Sequence, residues 1–100
     1  MVKLALFVLL KAKPEKADAL EKFLKRGLEL ANAEPETPIW FALRFDAGTF
    51  GIFDAFSEEH GREAHLNGPI AAALMAHADE LLAEPPRIEK VDVLAAKLPA

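Results

Sequence analysis

No cysteine occurs in the 100 residues. That removes disulfides, thiolate metal centres and a cysteine nucleophile, and it suits a reducing compartment, so a cytoplasmic location is expected. Tyrosine is absent too, and Ser57, the single serine, stands outside any nucleophile elbow. Glycine is sparse, and Gly48, Gly51, Gly61 and Gly68 do not give a phosphate-cradling spacing at a strand–helix junction. No nucleotide, flavin or nicotinamide cofactor is expected. The N-terminal apolar run closes at Lys11, far short of the roughly 20 residues a membrane-spanning helix needs. It carries no small-residue cleavage pattern, so neither a membrane segment nor a signal peptide is expected. A basic cluster is also lacking. The net charge is −4, and Lys22, Lys25 and Arg26 are flanked by Glu21 and Glu29, which argues against a nucleic-acid partner.

Apolar residues are abundant instead, at 52% of the chain. Nineteen are Ala and 33 are larger. The length predicts one domain over residues 1–100, and a domain of this size hides only about 60–70% of the surface of its unfolded chain. So many large apolar side chains exceed what one small core needs.

Their arrangement predicts a specific element order. Residues 2–11 alternate as a strand with Leu4, Leu6 and Val8 on one face and Ala5, Phe7 and Leu9 on the other. Pro14 suits the first turn of a helix, with Ala17, Leu20, Leu24, Leu28 and Ala31 on one stripe. Asn32 to Pro38 reads as a loop. Residues 39–46 and 50–57 predict a hairpin around Asp46-Ala47-Gly48-Thr49. Pairing Phe45 with Phe50 sets Phe41 opposite Asp54 and Ile39 opposite Phe56. Ser57 is the expected cap of a short helix, Gly68 its end, and Pro69 the start of a second helix over 69–83. Residues 87–98 predict a last strand.

Strand, helix, strand, strand, helix pair, strand is the split βαβ plan of an α+β, ferredoxin-like domain. It is a four-stranded antiparallel sheet with helices on one face. Strands apolar on both faces then leave an uncovered apolar sheet, which predicts a homodimer joined through that open face.

Ile52-Phe53-Asp54-Ala55-Phe56, an acidic turn and Ala64-His65-Leu66-Asn67-Gly68-Pro69 resemble the antibiotic biosynthesis monooxygenase (ABM) family. That family carries an acidic residue and an aromatic on its third strand, then a helix with an Ala-His pair and a small-Pro step. The resemblance implies a dimeric α+β barrel that binds a small molecule. In some members it implies cofactor-independent oxygenation of phenols, and in others haem degradation or no assigned reaction. Asp54, Phe56 and His65 match the motif. Phe41 stands where a tyrosine is common, and Ile70 where a second histidine often follows the proline. The haem-degrading branch uses a first-strand asparagine, whereas Asn32 and Asn67 lie elsewhere.

On this basis the candidate chemistry is an aromatic or quinol-type oxygenation with His65 as base, oriented by Asp54. Phe41, Phe56, Trp40 and Arg44 are the candidate substrate contacts: aromatic rings to stack on a planar molecule, a guanidinium to hold an oxyanion. A non-catalytic binding or stress-related protein of the same fold is the alternative. A buried Asp54–His65 pair also fits a plain fastener of helix to sheet, Trp40 and Arg44 fit a dimer seam, and Arg62 and Glu63 fit solvated helix charges. His77, near the apolar stripe, suits a partly buried position. His60 and His65 are five apart, about 140° around a helix, so no metal site is expected.

Overall fold

A computed structural model describes residues 1–99. Its elements are β1 (Leu4–Lys11), α1 (Ala17–Asn32), β2 (Ile39–Asp46), β3 (Thr49–Phe56), α2 (Glu59–Leu66), α3 (Pro69–Leu81) and β4 (Arg87–Asp92). The sheet is antiparallel in the order β2-β3-β1-β4, so the α+β, ferredoxin-like plan stands. Among the described residues no helix is long and apolar enough to cross a membrane.

Helix α1 buries Leu20, Leu24 and Ala31, and α3 buries Ile70, Leu74 and Leu81. Of these, Leu20, Leu24, Leu74 and Leu81 meet Val8, Leu10, Phe50 and Ile52 of the sheet to form the main core. Leu28 does not join it and is half exposed.

Several boundaries differ from expectation for local reasons. Pro14 is the corner of a β-turn closed by the Lys16 N–H to the Lys13 carbonyl, so α1 begins only at Ala17. Ser57 is not the cap of α2; Glu58 holds that position in extended backbone and no side chain caps the helix. Helix α3 ends at Leu81, and the last strand ends at Asp92 rather than Leu98.

The largest difference is the hairpin register. Arg44 faces Phe50, Ala42 faces Ile52, and Trp40 faces Asp54, with an irregularity between Arg44 and Asp46. Phe45 is the extra residue of a β-bulge, which slips the pairing by one and exchanges the faces of β2. Phe41 therefore pairs with Phe53, not Asp54, and Phe45 does not pair with Phe50. The side chains of Trp40, Ala42 and Arg44 join Asp54 on the helix side.

The other face carries the exchanged aromatics. Phe41 and Phe53 stack with centroids 6.4 Å apart, and Phe7 meets Phe45 edge-on at 6.1 Å. Gly51 makes room for that edge-on pair. A methyl group there would sit 3.1 Å from the Phe45 ring and 3.3 Å from that of Phe7. Phe41 and Phe45 remain 55% and 56% exposed.

Candidate functional site

Asp54 lies on β3 between Leu6 of β1 and Trp40 of β2, and is fully buried. His65, in the last turn of α2, reaches down to it, with Nε2 2.9 Å from Asp54 Oδ2. The N–H is not well directed at that oxygen, so the contact is an ion pair in which neither Asp54 oxygen gains a straight hydrogen bond. The other ring nitrogen is engaged as well. Nδ1 lies 2.6 Å from Glu34 Oε1, and the Thr37 hydroxyl donates to the same oxygen at 2.9 Å. Phe56, wholly buried, packs its ring 5.6 Å from the imidazole.

The unit is thus carboxylate–imidazole–carboxylate, and Glu34 is the member that sequence reasoning missed. Glu34 sits in the loop of residues 33–38, 31 residues before His65, and no local pattern joins the two. Burial alone would lower the His65 pKa, but contact with the Asp54 and Glu34 carboxylates outweighs it and raises it to about 8. Burial raises the Asp54 pKa, against the opposing pull of His65.

These shifts fix a pH dependence. Both groups bind a proton more tightly in the folded chain, so stability falls as pH rises. The His65 contribution is complete below its unfolded value near 6.5 and is lost as pH passes through about 8. A rise from 6.5 to about 8 corresponds to about 2 kcal/mol. Urea titrations at pH 6 and pH 9 should show that loss, and His65→Gln should remove most of it.

Two cavities lie nearby, of which only the second is bordered by members of the unit. One, about 200 Å³, lies between sheet and helices and is lined by Phe23, Gly27, Leu30, Trp40, Ile52 and Ile70, among others. The Trp40 indole lies against Gly27, where an added methyl would touch it at 3.4 Å. Trp40 Nε1 is buried without a partner. The second, about 220 Å³, is walled by Glu34, Glu36, Thr37, Gly61, His65 and Pro69. Leu30 lines both. Asp54 lines neither.

The remaining candidates separate. Phe41 lies across the sheet from Asp54, on the open face. Arg44 is half exposed, pairs with Glu21 and lies 5.8 Å over the Phe50 ring, away from His65. Arg62 is buried rather than solvated; its guanidinium donates to the Ala5 and Val91 carbonyls at 3.3 Å and fastens α2 to β1 and β4. His77 is exposed, 5.4 Å from Phe23 at the wall of the apolar cavity.

No family model and no curated protein matches the sequence. Solved structures do. The NE2512 protein of Nitrosomonas europaea, described as of unknown function, is 65% identical over 100% of this chain and 97% of its own, with a TM-score of 0.97. A candidate antibiotic biosynthesis monooxygenase from Caulobacter crescentus CB15 is 21% identical, with 94% and 92% of the two chains covered and a TM-score of 0.80. A further antibiotic biosynthesis monooxygenase is 15% identical, with 92% and 99% covered and a TM-score of 0.79. The chain belongs to the same family as NE2512 of Nitrosomonas europaea, and its fold is that of the antibiotic biosynthesis monooxygenases, as the sequence resemblance implies.

Proposed function

We propose that this one-domain protein is a cofactor-independent monooxygenase of the cytoplasm, acting on a small aromatic or quinol-type molecule. The carrying observation is the buried Asp54–His65 pair on the helix side of the sheet, beside an apolar cavity walled by Trp40. At about 200 Å³ the cavity is below the usual range for drug-sized ligands and suits a small ring system. In the reaction proposed, the substrate gives two electrons and two protons to O₂. One oxygen atom enters the substrate and the other leaves as water. The protein contributes a base, an apolar enclosure and exclusion of bulk water.

Both imidazole nitrogens face carboxylates and Asp54 borders neither cavity, so the base role passes from His65 alone to the carboxylate–imidazole–carboxylate unit, which His65 and Glu34 open to the second cavity. Trp40 links pair and cavity: it lines the cavity and is the cross-strand neighbour of Asp54. Its ring and its free N–H are the substrate contacts this reading assigns, with Phe56 supporting His65 from below. Oxygen uptake with a panel of quinols checks the proposal. Asp54→Asn and His65→Ala should each lower the rate about 100-fold or more, and rates equal to the wild type in both would reject it.

A binding role without turnover is the second reading. It is favoured by the complete burial of Asp54, which makes the pair a fastener of α2 to the sheet. A small molecule co-purifying without oxygen consumption supports that reading.

In either case we infer a homodimer closed through the open face, a dimeric α+β barrel. Phe7, Phe41, Phe45 and Phe53 form a self-facing aromatic surface for which the chain's own helices provide no cover.

A further inference from the structure

Asp54 is sealed in. Leu6, Trp40 and Phe56 surround it on the sheet, it is fully buried, and it borders neither cavity. A buried carboxylate that gains or loses a proton needs a route to water. The contacts supply one such route, in single file: Asp54 Oδ2 to His65 Nε2 at 2.9 Å, then His65 Nδ1 to Glu34 Oε1 at 2.6 Å. Glu34 stands at the end of this line and on the wall of the 220 Å³ cavity, with its side chain 16% exposed.

We propose that Glu34 is the proton port of the site, the residue through which the buried Asp54–His65 pair exchanges protons with solvent. The inference rests on the geometry of the pair and not on the oxygenase reading. The imidazolium gives its Nδ1 proton to Glu34 Oε1, and Glu34 passes it to cavity water. The neutral ring keeps its Nε2 proton toward Asp54, and a proton returning by way of Glu34 to Nδ1 restores the imidazolium. No redox partner is needed, and each proton that leaves the pair is replaced through the same carboxylate.

Two details suit Glu34 to this task. The Thr37 hydroxyl donates to Oε1 and holds the carboxylate against the imidazole. Oε2 is buried without a partner in the protein and faces Gly68, where a methyl group would stand 3.3 Å away. No other charged side chain makes an ion pair with the imidazole among the described residues. Asp54 faces it from β3 and Glu34 from the loop after α1. On α2, His60 is turned to Glu36 at 3.3 Å, Arg62 to Glu59 and two strand carbonyls, and Glu63 to Lys90 at 3.2 Å.

The test needs no substrate. Exchange of the His65 ring protons with water is followed by NMR in protein labelled with ¹⁵N-histidine, between pH 6 and pH 9. Glu34→Gln keeps an oxygen to accept the Nδ1 proton but cannot carry one onward. It should slow exchange at least about tenfold. Glu34→Asp keeps the charge but draws it back by one methylene, and it should slow exchange also. A role limited to charge or packing would lower the His65 pKa in the Gln variant yet leave its exchange rate unchanged. Wild-type exchange rates in either folded variant overturn the proposal. Because substrate is absent, that result is separable from a failure of the oxygenase assay.

Discussion

His65→Leu should lower the unfolding free energy by about 3–5 kcal/mol, the cost of leaving a buried charge without its partner. The substitution strands Asp54, which is fully buried, and leaves Glu34 Oε1 with only the Thr37 hydroxyl. For a chain of 100 residues each kcal/mol moves the melting temperature by roughly 4–8 °C. Thermal unfolding at pH 6, where the imidazolium is fully formed, gives the clearest reading. A double replacement, Asp54→Asn with His65→Leu, should recover part of the loss because no unpaired charge then remains inside. A loss below about 1 kcal/mol in the single variant would show that Asp54 already finds water, and the sealed arrangement would be wrong.

The paired substitution Phe41→Glu and Phe45→Glu should weaken self-association by more than about a thousandfold, or about 4 kcal/mol. Both rings are more than half exposed in the single chain, so the fold itself loses little. In a two-fold dimer the same patch meets itself, and each substitution acts twice. Buried without partners, these carboxylates oppose the association strongly. Sedimentation equilibrium checks this, with a wild-type dimer at micromolar concentration and a monomeric variant expected. A monomeric wild type, or a variant that still dimerises, removes the barrel assembly.

The α+β order was legible because each element carries its own period. Leu20, Leu24 and Ala31 mark α1, and Ile70, Leu74 and Leu81 mark α3, each at helical spacing. Leu4, Leu6, Val8 and Leu10 mark one face of β1. The Gly68-Pro69 step separated the two later helices correctly, since an extended residue before a proline at the first helical position is a local preference. Ser57 misled because its chemistry permits a cap that the chain does not make.

The faces of β2 were not legible. Trp40 and Phe41 are both large and aromatic, so alternation alone does not say which turns inward. A single bulge at Phe45 decides it, and there Phe45 lies over Gly51 against Phe7, a residue of another strand. The Asp54–His65 contact was anticipated as a pair, whereas Glu34 was not. A loop carboxylate becomes part of a buried site only once the segment after α1 lies against α2.

By itself the sequence determined the element order, the excess of apolar strand faces and the Asp54–His65 pairing. Those features come from periodicity and from side-chain chemistry, which are local. Tertiary structure alone decided the hairpin register, the inward position of Trp40, the burial of Arg62 and the second carboxylate on His65. Each of these depends on groups far apart in the chain meeting where water is excluded, and there the energy of a charge is set by its neighbours rather than by its place in the sequence.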